Sequence, residues 1–502
     1  MKIKKTKKVA KISTLEMHEK QKQEFNYEPM RDPIHNYVDY NTELEEKIID
    51  TYIFQRLRRL YQLQSGRFVY PGATHSRFSH SLGTMHIAGK FAERVLYSPI
   101  SKIETTEDSN FLYESVRLAG LLHDIGHGPF SHAFDEAIIA PSSTLKSKGI
   151  ESHEDLGRVL IEHSEINKYL TNKENKEIID DYTEIIKKLL SKKLSPTEDK
   201  AIIALRHIIK EFIYPADILD FLQRDAYFTG TREYGLIDCD RLIRSTSVRQ
   251  SDLVLDYRAL TTCRSYFNSR FKMFENVYFH RTCRAIDYMI KKIMTLANNS
   301  LNLEGKVEQC LKGEIQEFLE LDDYSFFDMI LKKGKEENSK EMISAKEIVT
   351  SILERKIPWR MPPCNRRSIP FTKGQVSQYR LALSGIEEKK KQLESCLEEK
   401  FDNYLRDKKD IFFVDHSRYK YLPDSPFDIS GKIIIRKVSG NTESIEEWSI
   451  SNLLEEHPTS YYIEFRVYVN KKLHDQNTKK MDKTIQDAFQ DVFGIPSPGP
   501  TY

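Results

Sequence analysis

Apolar residues recur along this chain at helical spacing far more often than they alternate, and the pattern predicts a mostly α-helical protein. Over residues 43–63 the positions Leu44, Ile48, Ile49, Ile53, Leu57, Leu60 and Leu63 fall at helical spacing. A helix is expected from His80 through Met85, Ile87, Ala88 and Phe91, and another behind the start signal at 108–110, where a side-chain acceptor can cap the first free N–H groups. Ser152-His153-Glu154 opens a further helix backed by Leu156, Val159, Leu160 and Ile161. The stretch 166–200 is rich in Lys, Glu and Asp with isoleucine and leucine pairs between, and reads as an exposed helical insertion without chemistry. Proline's fixed φ suits a first helical turn, so a helix is expected to start near Pro215, with Ile218, Leu219 and Leu222 as its apolar flank. Residues 257–296 predict a long helix, 322–331 and 345–355 shorter ones, and 378–406 a charged one beyond a turn-rich break at 358–370. Within 411–469 the pattern changes to β-rich runs, which predict a small α+β lobe.

Composition narrows the classes. The chain has 502 residues, enough for two or three lobes, with 77 basic and 75 acidic side chains and a formal net charge of +2. That balance excludes a generic polyanion binder, so any nucleotide site must be a local patch. Mean hydropathy is -0.55 and no run is long and apolar enough for a membrane helix. Six cysteines without CxxC spacing read as buried thiols of a reducing compartment, and a cytoplasmic location is expected. Residues 1–11 are lysine-rich and read as a disordered basic arm, with nucleic-acid contact as the minor alternative.

The chemistry concentrates in Leu-Ala-Gly-Leu-Leu-His-Asp-Ile-Gly-His-Gly-Pro-Phe-Ser-His-Ala-Phe-Asp, residues 118–135. An apolar run predicts burial, and it delivers His123 and Asp124 side by side with His127 four residues on. An imidazole nitrogen and a carboxylate oxygen together suit one divalent ion such as Mg, Mn, Fe or Zn, with His127 left as a supporting or catalytic group. His80 is a candidate third ligand, and Arg77, three residues before it, offers a two-donor fork for an oxyanion. Asp217, Asp220 and Arg224 share one side of the helix that starts near Pro215, which makes Asp217 the candidate fourth ligand and leaves Asp220 open to a structural reading. Taken alone, Asp50, Gln55, Arg58 and Arg59 are a solvated helix face.

The order His80, His123-Asp124, Asp217 resembles that of the HD-domain phosphohydrolases. The strings Phe54-Gln55-Arg56-Leu57-Arg58, Tyr70-Pro71-Gly72-Ala73, Arg77-Phe78-Ser79-His80-Ser81-Leu82-Gly83 and His123 to His132 are similar to the deoxynucleoside-triphosphate triphosphohydrolase branch, typified by the SAM-and-HD-domain protein and the bacterial dGTPase-like enzymes. The likeness runs from about Arg31 to Val469, and a SAM domain is not apparent. It implies an HD-domain helical core with a smaller C-terminal α+β lobe. The expected organisation is a basic arm at 1–28, a catalytic core at 29–300 with an insertion at about 164–212, a helical extension at 301–408, the α+β lobe at 409–490 and a flexible tail at 491–502.

By the same resemblance, one divalent metal is held by His80, His123, Asp124 and Asp217, and His127, His132, Asp135 and His153 are catalytic. Arg77 and Arg270 are implied to contact phosphate, and Gln62, Leu63, Asp225 and Tyr278 to surround a deoxyribose. Asp50, Gln55 and Arg58 match a regulatory nucleotide site between subunits, which implies an activating nucleotide and a homo-oligomer, dimer or tetramer. The expected reaction is dNTP hydrolysis to deoxynucleoside and inorganic triphosphate, with His132, oriented by Asp135, protonating the departing oxygen. The alternatives are an HD-domain enzyme for another nucleotide or phosphoester, and a non-catalytic nucleotide- or nucleic-acid-binding protein. Three positions depart from the family: Ile218 and Phe221 stand where relatives place a lysine and a tyrosine, and Arg31 where an asparagine is typical.

Overall fold

The computed structural model describes residues 27–98, 108–171, 182–192, 194–195, 197–211, 213–249, 251–362, 366–371, 385–402, 410–418, 432–439, 442–449 and 461–494. Most of the expected arm (1–26) and tail (495–502) therefore lie outside the described residues, and so does part of the charged helix expected over 378–406. No helix among the described residues is long and apolar enough to cross a membrane.

The centre is a three-helix stack. Helix α1 (Arg77–Tyr97) is covered on one side by α2 (Ser109–Leu122) and on the other by α6 (Ala216–Thr229). Close approach is possible because glycines stand at both contacts. A Cβ on Gly120 would come within 3.1 Å of Ala88 and of the Thr84 carbonyl oxygen. Asp108 caps α2 as expected, accepting from the Asn110 and Phe111 N–H groups. Between α2 and α6 lie α3 (His153–His163), α4 (Tyr182–Leu190) and α5 (Lys200–Arg206), the last continuing into a π-helical segment, His207–Glu211.

This intermediate region corrects the sequence reading. Ile185, Ile186, Leu189, Leu190, Ile202, Leu205, Ile208 and Ile209 are all buried, so 182–211 contributes an integral layer of the core. The stripe over 43–63 is also not one helix. Thr51, in extended backbone, caps a new turn at Phe54, which divides the segment into Glu45–Ile49, Tyr52–Gln55 and a 3-10 turn Arg56–Arg59. Likewise 257–296 splits into α7 (Leu260–Met273), a π-helical segment Phe274–Tyr278 and α8 (Arg281–Leu301), with His280 capping the last.

The C-terminal part carries the expected strands, and one of its sheets is joined to the core. Strand β8 (Lys432–Ser439) pairs with β9 (Thr442–Ser449) and, in parallel, with β4 (Asp252–Asp256), which itself pairs with β3 (Thr246–Arg249) in the core. A second sheet is built on β10 (Tyr461–Asn470), with β7 (Phe412–Arg418) on one edge and β5 (Trp359–Arg360) and β6 (Arg366–Phe371) on the other. The turn-rich break at 358–370 thus carries two short strands; Pro370 is tolerated in β6 because that strand is an edge. Helix α9 (Lys471–Phe493) extends through Phe493 and stops at Gly494, whose φ of 70° is the left-handed cap glycine favours, so the first residues of the expected tail are helical. The hairpin of β1 (Tyr27–Asp32) and β2 (Asn36–Asn41) closes over α6 through Asp32.

Candidate metal centre and substrate cavity

His80 projects from the first turn of α1, Asp217 from the first turn of α6, and His123 caps the end of α2, with Asp124 in the turn that follows. Three separate helices thereby bring His80, His123 and Asp217 together, with Asp124 beside the two histidines. The Nε2 of His80 lies 3.0 Å from Asp217 Oδ1, 3.2 Å from His123 Nε2 and 3.7 Å from Asp124 Oδ2. The Nε2 of His123 lies 3.4 Å from Asp124 Oδ1 and 3.7 Å from Asp217 Oδ1.

The remaining nitrogens settle what the cluster can hold. His80 Nδ1 is 2.8 Å from Asp220 Oδ2 and His123 Nδ1 is 2.8 Å from the Gly120 carbonyl oxygen, an acceptor that requires the proton on Nδ1. Neutral imidazoles so held aim two Nε2 lone pairs at each other beside two carboxylates, an arrangement that repels unless a cation is shared. Without a metal the cation must be a proton. Burial would lower the His80 pKa, but its hydrogen bonds to Asp217 and Asp220 push it up to about 10, and His123 also rises, against its burial, because of Asp124 and Asp217. Ligands about 2.1 Å from one ion and at right angles are about 3.0 Å apart, so the donor spacing fits a divalent ion.

His127, His132, Asp135 and His153 form a second group, with donor atoms all within 4.8 Å of one another, which is close enough for these four to hold an ion as well. His127 stacks on His153 with ring centres 3.6 Å apart, and its Nε2 is 3.3 Å from Asp124 Oδ1. Burial, then Arg77 and His153, hold His127 well below its ordinary value, so it is neutral at physiological pH. Asp135 Oδ2 is 2.5 Å from His153 Nδ1 and 3.8 Å from His132 Nδ1, so this carboxylate orients His153 more directly than the expected His132. His132 is the exposed member, with 56% of its side chain open.

Both groups face one cavity of 610 Å³, within the range of small-molecule sites. Gln62, Leu63, Arg77, Asp225, Arg270 and Tyr278 line it. Arg77 is committed: Nη1 pairs with Asp124 Oδ2 and Nε donates to Ser131 Oγ at 2.7 Å. Despite its burial, Asp124 is therefore held well below the usual carboxylate range. Arg270 is buried with Nε and Nη1 lacking any acceptor, a guanidinium that wants an anion. Asp225 accepts from Tyr278 Oη at 2.7 Å and sits 2.8 Å from His75 Nε2, which fixes the phenol against the cavity wall. Ile218 and Phe221 add apolar surface to the same wall.

Asp50, Gln55 and Arg58 are elsewhere. Arg58 Nε donates to Gln55 Oε1 at 2.7 Å and its guanidinium lies 3.5 Å over the Phe78 ring, while Asp50 is exposed; none of the three lines the cavity.

Several supporting residues escaped the sequence. Asp220 receives His80, His35 at 2.6 Å and a two-pronged Arg224, whose third nitrogen reaches Asp32. The spacing Asp217–Asp220–Arg224 placed these on one face, but only the tertiary contact identifies Asp220 as the partner of a ligand histidine. Asp220→Asn is expected to reduce divalent-ion affinity by about ten- to a hundredfold, measurable by calorimetric titration. Lys192, from the stretch read as free of chemistry, and Arg206 and Lys210 beyond it also line the cavity.

The HD domain model matches residues 77–217, and the HD associated region model matches residues 237–365. The uncharacterized protein YwfO of Bacillus subtilis is 34% identical over 278 residues, which is 55% of this chain and 57% of that protein. The deoxynucleoside triphosphate triphosphohydrolase SAMHD1 homolog of Dictyostelium discoideum is 28% identical over 328 residues, 65% of this chain and 59% of its own length. The matches span 57%, 51% and 59% of the lengths of the relatives from Bacillus subtilis, Methanocaldococcus jannaschii and Dictyostelium discoideum. A solved phosphohydrolase from Bacteroides thetaiotaomicron superposes with a TM-score of 0.62 at 19% identity, covering 89% of this chain and 100% of that one, a likeness of fold. Residues 77–217 thus match the HD domain, and the chain shares its fold with that solved structure.

Proposed function

We propose that this chain, an HD-domain protein, is a metal-dependent hydrolase that cleaves dNTPs to deoxynucleoside and inorganic triphosphate. The observation that carries the reading is the convergence of His80, His123, Asp124 and Asp217 on one wall of a cavity that also holds the buried guanidinium of Arg270, whose Nε and Nη1 have no acceptor. The names of the relatives from Dictyostelium discoideum and Bos taurus, both deoxynucleoside triphosphate triphosphohydrolases, support the substrate class.

A divalent ion held by the four ligands would supply charge to a phosphate oxygen and acidify water beside it. Arg77 and Arg270 neutralise the phosphate chain, since phosphoryl transfer is governed mainly by positioning and electrostatics. His132, open to the cavity, protonates the departing 5′-oxygen; His153, held by Asp135, and neutral His127 orient water. Leu63 and Tyr278, the latter pinned by Asp225, close on the sugar and leave a 2′-hydroxyl without room or partner. Asp50, Gln55 and Arg58 bind an activating nucleotide between subunits of a homo-oligomer acting in the cytoplasm, where the five described cysteines remain thiols.

A second reading, hydrolysis of a shorter phosphoester, is favoured by one observation: Ile218 and Phe221 put apolar surface where a longer phosphate chain would gain from donors. Product analysis separates the two. With metal supplied, each dNTP and NTP is incubated singly and in mixtures. Inorganic triphosphate is expected from dNTPs and little from NTPs, with mixtures relieving any single-substrate silence. Release of orthophosphate or pyrophosphate instead would contradict the first reading.

A further inference from the structure

The layer 182–211 delivers three cations to the cavity, and they are tethered differently. Arg206 acts as a strut: its Nε and Nη2 donate to the carbonyl oxygens of Ser191 and Lys192 at 2.9 and 2.7 Å. Lys192 donates to Asp155 at 2.9 Å. Lys210 is held more loosely. Its side chain is 17% exposed and its Nζ lies 2.8 Å from Glu154 Oε2, an ion pair that leaves the other donors of the buried ammonium without an acceptor among the described residues. An ammonium carries three donors, and leaving them unmade under burial is costly.

Glu154 follows His153 directly and a third of its side chain is exposed, so it lines the cavity and is free to turn outward. The cavity also has an unmet need for charge. Arg77 is engaged by Asp124, and Arg270 is the buried guanidinium with unfilled donors. A phosphate chain brings several negative charges, more than Arg270 and an Arg77 already paired with Asp124 can answer.

We propose that Lys210 is a phosphate-positioning residue, held by Glu154 in the free protein and transferred to the terminal phosphates of a bound polyphosphate. This rests on the reading of the cavity as a phosphate-ester site. Glu154 is then a competitor for Lys210, and the two partners of one ion pair have opposite effects on ligand binding. A purely structural staple between α3 and the His207–Glu211 segment would make both losses act alike.

The test is calorimetric titration of the full chain and of its K210Q and E154Q variants with inorganic triphosphate and, separately, with orthophosphate, alongside thermal melting of each. K210Q is expected to weaken triphosphate binding about tenfold, the scale of one charge-assisted hydrogen bond, with orthophosphate unaffected. E154Q is expected to tighten triphosphate binding several-fold. The proposal is overturned if both variants move triphosphate affinity the same way or not at all, if K210Q weakens orthophosphate equally, or if the unmodified chain does not bind triphosphate. If dNTPs yield no triphosphate while the two variants still diverge, the positioning role stands and the substrate assignment falls.

Discussion

Asp217→Asn is expected to lower phosphoester hydrolysis by about a hundred- to a thousandfold, the scale of removing a principal electrostatic group from an active site. The substitution keeps the shape of the side chain and removes its charge. Asp217 is the ligand with most open surface, 34% of its side chain, and it contacts His80 and His123 across the cluster without filling the core. Its loss therefore leaves the α1–α6 packing intact, while His80 and His123 lose the carboxylate that helps them share a cation. Steady-state kinetics at saturating metal, with circular dichroism as the folding control, measures the effect. Hydrolysis within a few-fold of the unmodified chain would show that Asp217 is not a ligand.

The second large effect is on stability. In Gly126→Ala, the new Cβ would stand 2.0 Å from the His153 carbonyl oxygen and 2.4 Å from the Gly157 amide nitrogen. Both are backbone atoms of α3 and its start, so no side-chain rotation relieves the clash; α3 or the 124–127 turn must move. Overpacking of this kind costs about 3 kcal/mol at the upper end of the usual range. Because His153 stacks on His127, the displacement also separates the histidine group, and activity per folded molecule falls with stability. Gly157→Ala is the internal control: its Cβ would meet nothing closer than 3.5 Å, so chemical denaturation should show little loss in that variant and a large one in Gly126→Ala. Equal losses would mean that the close approach of the two segments is not what Gly126 provides.

Much of the His/Asp cluster was legible before the fold. His123 and Asp124 stand at the end of an apolar run, and a polar pair buried that way needs a partner. Pro215 marks the start of the helix that carries Asp217, whereas the helix of His80 begins at Arg77, three residues before the expected start. The supporting groups were not legible, because Asp220 meets His35 across 185 residues and a helix-face argument cannot supply that contact. The role of 182–211 was misjudged for a different reason. High charge dominated the reading, although the isoleucine and leucine pairs already carried a helical stripe that buries one face and leaves Lys210 at the cavity. Parallel pairing of β4 with β8 was equally out of reach, since Val254 and Ile434 come from distant parts of the chain and neither strand announces its neighbour.

The central claim is that four side chains from three helices share one divalent ion. It is tested most directly by stripping the protein with a chelator and titrating it with cobalt(II), following the visible absorption bands and the heat of binding together. One ion per chain at the high-affinity site, in a histidine- and carboxylate-bound spectrum lost from Asp217→Asn and from a His123→Ala variant, is the expected result. No saturable binding, or a spectrum and stoichiometry unchanged in both variants, would contradict it.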